Sequence, residues 1–171
     1  MPFQMRMLVP VVVGLAILVS GFGCAGSAST RAMGIDLVRE VFPSATDMTE
    51  KPTDDETEPS GRPDKSTVSE IRGPSRLLGY LVETRVSGRS GPFSIAVLLD
   101  ERCVVKWATV VSYPWSRGRE VGRRSFASQF EGKGPDDAIE IGKDIDAVTG
   151  ATISCKAMTR GVREAVRLLA K

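Results

Sequence analysis

The sequence predicts an α+β fold, an antiparallel sheet meander flanked by helices, preceded by an N-terminal membrane or signal segment. Three observations predict it. Apolar runs of strand length follow one another across short polar turns at Leu77–Val86, Phe93–Leu99 and Cys103–Val111, the pattern of hairpin-connected strands. A strongly amphipathic stretch, Thr152–Ala170, comes after them, and strands grouped ahead of helices indicate α+β rather than alternating α/β. An almost uninterrupted apolar run, Met7–Phe22, stands apart from both near the N-terminus.

That N-terminal run follows Arg6 and contains Pro10 and Gly14. It is at the short end for a membrane span, roughly 17–25 residues, and long for the apolar part of a signal peptide, roughly 7–15 residues. It ends in Val19-Ser20-Gly21-Phe22-Gly23-Cys24. Small residues before a cysteine resemble a lipoprotein processing site, although Gly21 and Phe22 depart from the usual pattern. Lipidation at Cys24 and a retained N-terminal anchor both remain open. Either places Ala25 onward outside the cytoplasmic membrane.

Ser27 to Phe42 reads as a helix, with Ile35, Leu37, Val38, Val41 and Phe42 near a 3.6-residue period. Pro43 stops it. Asp47 to Thr67 is rich in Pro, Asp, Glu, Thr and Ser without apolar periodicity, so it reads as a flexible loop. In the body, Ser87 to Pro92 is a turn between two strands, and Asp100-Glu101 is another. Ser125 to Phe130 reads as a short helix and Gly132 to Asp137 as a loop. In the last helix Met158, Val162, Ala165, Val166 and Leu169 share one face. Lys156, Arg160, Arg163, Arg167 and Lys171 lie mainly on the other, where basic residues late in the helix suit its dipole.

Composition removes several function classes. The 171 residues carry 23 Lys and Arg against 21 Asp and Glu, a net charge of +2, with the basic residues scattered. Neither that balance nor 6% aromatic content suggests a nucleic-acid partner. The chain has no histidine, which excludes His-dependent nucleophile systems, His-ligated haem and His-rich zinc sites. A Ser154–Lys156 pair would place its members on different helix faces. Of Cys24, Cys103 and Cys155, no two have dithiol spacing. A Cys103–Cys155 disulfide is left open by sequence, and so is the choice between a buried Cys155 and a thiol acidified in the first helical turn. No catalytic residue and no metal ligand is assigned.

The residues that name a chemistry are Asp146-Ala147-Val148-Thr149-Gly150-Ala151-Thr152. On spacing alone they form a hydroxyl-rich turn at a helix start. Asp-x-x-Thr-Gly-Ala-Thr resembles the flavinylation motif of the FMN-binding domain family, which includes the G subunit of Rnf-type and the C subunit of Nqr-type membrane redox complexes. Further stretches are similar to family patterns: Gly88-Arg89-Ser90-Gly91-Pro92-Phe93, Ser116 to Gly122 with its Glu120 and Gly122, Phe126-x-x-Gln129-Phe130-x-Gly132-Lys133, and a weaker echo at Val41 to Ala45. The resemblance implies FMN carried covalently through a phosphoester on Thr152. It also implies maturation by a separate magnesium-dependent flavin transferase with FAD as donor. Thr149, Gly150, Ala151, Asp146, Glu120 and Gly122 are its other candidate cofactor-binding residues. Trp107, Tyr113, Trp115 and Phe126 are candidates to pack against the flavin ring, and Arg117, Arg119 and Lys133 to favour its reduced form.

The expected organisation is a signal or anchor at 1–24, an N-terminal helix at 25–45, a polar linker at 46–76 and an FMN-binding domain at 77–171. The expected function is an extracytoplasmic electron-transfer flavoprotein, a redox carrier rather than a self-contained enzyme. It would be membrane-associated through its N-terminus and partnered by membrane redox subunits or other electron carriers, without nucleic acid. The alternative is a non-redox exported lipoprotein binding module of the same fold.

Overall fold

The computed structural model describes residues 38–51 and 66–170. Within them a five-stranded antiparallel sheet runs in chain order: β1 (Asp47–Lys51), β2 (Thr67–Arg72), β3 (Leu77–Ser87), β4 (Pro92–Asp100) and β5 (Val105–Ser112). Each strand pairs with its sequence neighbour, as expected when short turns join amphipathic strands. The β3–β4 turn closes with the Gly88 N–H donating to the Gly91 carbonyl at 3.0 Å. The β4–β5 turn is held by the Asp100 carboxylate, which accepts the N–H groups of Arg102 and Val104 at 2.9 and 3.0 Å. Asp favours turns for this reason.

β4 is the middle of the ordered core. Phe93, Ile95, Val97 and Leu99 face one side, and Ala96 and Leu98 face the other; all are buried. A strand covered on both faces needs a continuous apolar run, and Phe93–Leu99 supplies it. Two clusters follow. On one face the short helix α1 (Arg124–Ala127), the turns around it and the long helix α2 (Thr152–Leu169) pack Phe126, Phe130, Cys155, Met158, Val162, Ala165 and Val166 against the sheet. On the other face Val38, with Val41, Phe42 and Ala45 at its edge, covers Ile71, Leu78, Leu81 and Leu98. Trp107 belongs to this second face.

α2 presents the apolar face its sequence predicts, with Met158, Val162, Ala165 and Val166 buried and Leu169 partly so. Lys156, Arg160 and Arg167 are exposed. It lies so close to the sheet at Gly161 that an added Cβ would come within 2.6 Å of Val86 and 2.8 Å of Ile95. The helical end at 38–41 stops before Pro43, with the Phe42 N–H donating to the Val38 carbonyl at 2.7 Å.

The stretch read as a polar loop needs correcting. Asp47–Lys51 and Thr67–Arg72 are strands, antiparallel in register from Asp47↔Arg72 to Lys51↔Val68. β2 buries Val68, Ser69 and Ile71, whereas β1 is exposed at every position but Met48. An edge strand held by backbone pairing carries little apolar signal. The sheet therefore begins well before Leu77. The expected signal or anchor at 1–24, Cys24 and most of the 25–45 helix lie outside the described residues. Among the described residues no helix is long and apolar enough to cross a membrane.

Candidate functional site

The fold brings three segments to the start of α2. The β3–β4 turn contributes Arg89 and Ser90, the loop after β5 contributes Arg117 and Gly118, and the helix start contributes residues 150–154; together they line a cleft of about 430 Å³. Two glycines with positive φ make this approach possible. Gly150, at φ 86°, turns the chain into α2 and has no atom within 4 Å of where a Cβ would stand. Gly118, at φ 84°, has the Tyr113 hydroxyl 2.6 Å and Ser154 Oγ 2.9 Å from the same hypothetical position. Only glycine adopts that conformation freely, and a side chain would collide there.

Thr152 is the first residue of α2 and is exposed. Ala151 precedes it, buried, with its N–H donated to the Val148 carbonyl at 3.1 Å and its own carbonyl accepting the Cys155 N–H at 2.8 Å. No side chain caps the helix. Thr149 does not do so, and the unpaired N–H groups of the first turn, with the positive end of the helix dipole, face the cleft. Ser154 is buried to 3% exposure and shares a 3.0 Å hydrogen bond with Tyr113. Ile153, at 48% exposure, is the exposed large apolar residue at the cleft.

The start of the seven-residue motif is clamped from α1's side. Gln129 Oε1 accepts the Asp146 N–H at 2.7 Å, and Gln129 Nε2 donates to the Asp146 carbonyl at 3.2 Å. The Asp146 carboxylate is exposed and makes no hydrogen bond among the described residues, so no Asx turn forms. Just upstream, Asp144 accepts the N–H groups of Ile139 and Glu140 at 3.0 and 2.7 Å and sits 3.4 Å from Lys133 Nζ. Burial works to raise the Asp144 carboxyl, but the two backbone donors and Lys133 outweigh it and hold it below the usual carboxylate range.

The other sequence candidates separate clearly. Arg117 lines the cleft, whereas Arg119 lies beyond it in the turn Arg119–Gly122 and Lys133 is engaged with Asp144. Glu120 is half-buried and close enough to Cys155 to act on its thiol. Gly122 is exposed at the end of that turn. Neither lines the cleft. Neither Tyr113 nor Trp115 lines it: the Tyr113 hydroxyl reaches the lining residue Ser154, and the Trp115 ring packs where a Gly91 side chain would stand while its Nε1 donates to the Pro92 carbonyl at 3.0 Å. Phe126 is buried in the core against Phe130, ring centroids 5.4 Å apart, and Trp107 is on the opposite face of the sheet. Cys103 and Cys155 are both free and buried, so they form no disulfide. Burial pushes the Cys155 thiol up, against the acidified thiol that a first-turn position suggested. Arg89, Ser90 and the Tyr113–Ser154 pair carry no assignment from sequence; the glycine turn at 88–93 is the signal that could have singled out the first two.

Residues 88–167 match the FMN-binding domain family, which bears out the resemblance carried by the motif and by the flanking stretches from Gly88 to Lys133. The chain is also similar to the G subunit of a proton-translocating ferredoxin:NAD(+) oxidoreductase complex from Clostridium ljungdahlii, 33% identical over 100 residues, 54% of each chain. The chain thus spans about half the length of that curated relative.

Proposed function

We propose that this protein is an extracytoplasmic electron-transfer flavoprotein carrying FMN through a phosphoester on Thr152, within or alongside a membrane redox chain. The observation that carries the reading is the exposed Thr152 hydroxyl at the uncapped start of α2, in a cleft with Arg89 and Arg117. The donor set suits the group. A phosphate diester is anionic, and the helix N-terminus and two guanidinium groups are complementary to it. Gly150 leaves the approach unobstructed. FMN, when bound, supplies one- and two-electron chemistry.

The chain's own residues have narrower tasks. Thr152 offers the attachment oxygen, the first-turn N–H groups and the two arginines neutralise the phosphate, and Ile153 offers apolar surface at the cleft. Gln129 fixes where the motif begins. The resemblance to the FMN-binding domain family implies attachment by a separate flavin transferase, and the absence of histidine agrees with Thr152 as a modification target. In that transfer Thr152 Oγ bonds to the flavin-side phosphorus of FAD, the anhydride P–O bond breaks, AMP leaves and the hydroxyl proton is released, with no change of oxidation state. The Clostridium relative is a subunit of an oxidoreductase complex, which supports membrane redox subunits as partners. The apolar run at Met7–Phe22 supports membrane attachment with the domain on the outer face, through a lipid on Cys24 or a retained helix.

The test is co-production with a flavin transferase. The expected result is an FMN-sized mass addition and flavin fluorescence that survives a denaturing gel, both abolished by Thr152→Ala. Absence of the addition, or its persistence in Thr152→Ala, overturns the reading; fluorescence lost on denaturation favours a module that binds flavin non-covalently.

A further inference from the structure

The start of α2 carries two neighbouring hydroxyls, Thr152 at the end of the motif and Ser154 just beyond it, and the structure treats them oppositely. Thr152 is exposed at the cleft, whereas Ser154 is 3% exposed. Tyr113 engages Ser154 Oγ at 3.0 Å and the Arg117 carbonyl at 2.8 Å. A phenol has one proton, and the Arg117 carbonyl can only accept, so Tyr113 donates to Arg117 and Ser154 donates to Tyr113. The chain of bonds runs from the first turn of α2, through the Tyr113 hydroxyl, to the loop that carries Arg117. The ring itself is fixed by Phe93, whose centroid lies 5.0 Å away. Gly88 and Gly118 leave room for it: side chains there would meet Ser154 Oγ at 3.2 and 2.9 Å.

We infer that Tyr113 is a positioning residue for flavin attachment, engaging Ser154 and setting Arg117 beside Thr152. This rests on the FMN reading above and adds a cause for the choice of acceptor. With Ser154 buried and its proton committed, Thr152, exposed at the cleft, is the one of these two helix-start hydroxyls that can attack. The same bond stops the 113–118 loop from drifting off the helix start, so the cationic wall of the cleft stays where the transferred phosphate must arrive.

The experiment compares wild type, Tyr113→Phe, Ser154→Ala and Thr152→Ala as full chains with a flavin transferase and FAD, following mass addition over time. Tyr113→Phe keeps the ring and removes the hydroxyl. It is expected to lower kcat for attachment about five- to tenfold, the scale of one lost hydrogen bond, with KM for FAD unchanged and the far-ultraviolet spectrum intact. Ser154→Ala is expected to slow attachment similarly, and the double variant to be no slower than either single one. Peptide mapping is expected to place FMN on Thr152 alone. Wild-type kcat in Tyr113→Phe or Ser154→Ala, additive losses in the double variant, or FMN on Ser154 in wild type overturns the inference. If Tyr113→Phe does not fold, Ser154→Ala decides. The underlying reading fails separately, through Thr152→Ala retaining the addition.

Discussion

Ser154 and Thr152 are two residues apart, yet one is locked in a hydrogen-bond chain and the other faces the cleft. The motif resemblance singles out Thr152, but nothing local in the sequence shows that Ser154 is taken up elsewhere. The separation comes from Tyr113, 41 residues away from Ser154, and no local pattern encodes a contact of that span. Gln129 has a comparable role at the other end of the motif, holding Asp146 by two backbone bonds. Gln129→Ala is expected to cost about 1–2 kcal/mol and to slow flavin attachment, read from urea midpoints and mass-addition rates. Gln129→Glu keeps the acceptor and loses the donor, so an intermediate result is expected. Asp144 gives a pH prediction. Its folded-state pKa is lowered, so its stabilising effect is present above the unfolded carboxylate value of about 4. It is lost as pH falls below that value, through the folded pKa. Asp144→Asn is expected to be about 1–3 kcal/mol less stable at pH 7, with the gap narrowing as pH falls below about 4 in an acid series of thermal melts. Both cysteines have thiols pushed up by burial. In native protein at pH 7 neither is expected to react with an alkylating reagent that labels both after unfolding; rapid labelling of Cys155 would contradict its placement.

At the scale of elements, what sequence read well was what buries a face. β3, β4, β5 and α2 each carry an apolar pattern long enough to set their type, and their bounds fall within one or two residues of expectation. β1 escaped because its strand character comes from pairing, and β2 because Val68 and Ile71 are its only apolar residues. Thr49, Glu50 and Lys51 are exposed on an edge strand, where polar residues are the norm. The contact between α2 and the sheet yields a sharper prediction. Gly161 lies within 3 Å of two core side chains once a Cβ is added, and Val86 is stiff at its branched carbon. Gly161→Val is therefore expected to destabilise by about 1–3 kcal/mol, despite valine being the better helix former. A chemical-denaturation midpoint at or above wild type would mean that α2 stands further from the sheet than described.

For the molecule as a whole, the division of labour is between a sheet built from local pairings and a site built from distant ones. All five strands meet only their sequence neighbours, so the meander can grow hairpin by hairpin. The cleft has no such shortcut, since Arg89, Arg117 and Thr152 meet only after α2 has docked. The glycine turn at 88–91, the loop at 117–118 and the helix start must all be in place before the Thr152 hydroxyl has its surroundings. A chain delivered unfolded across a membrane would show Thr152 as one hydroxyl among many. Flavin loading would then act as a certificate of maturation: a coloured molecule would be one whose last helix had already seated, and misfolded copies would stay colourless and redox-silent.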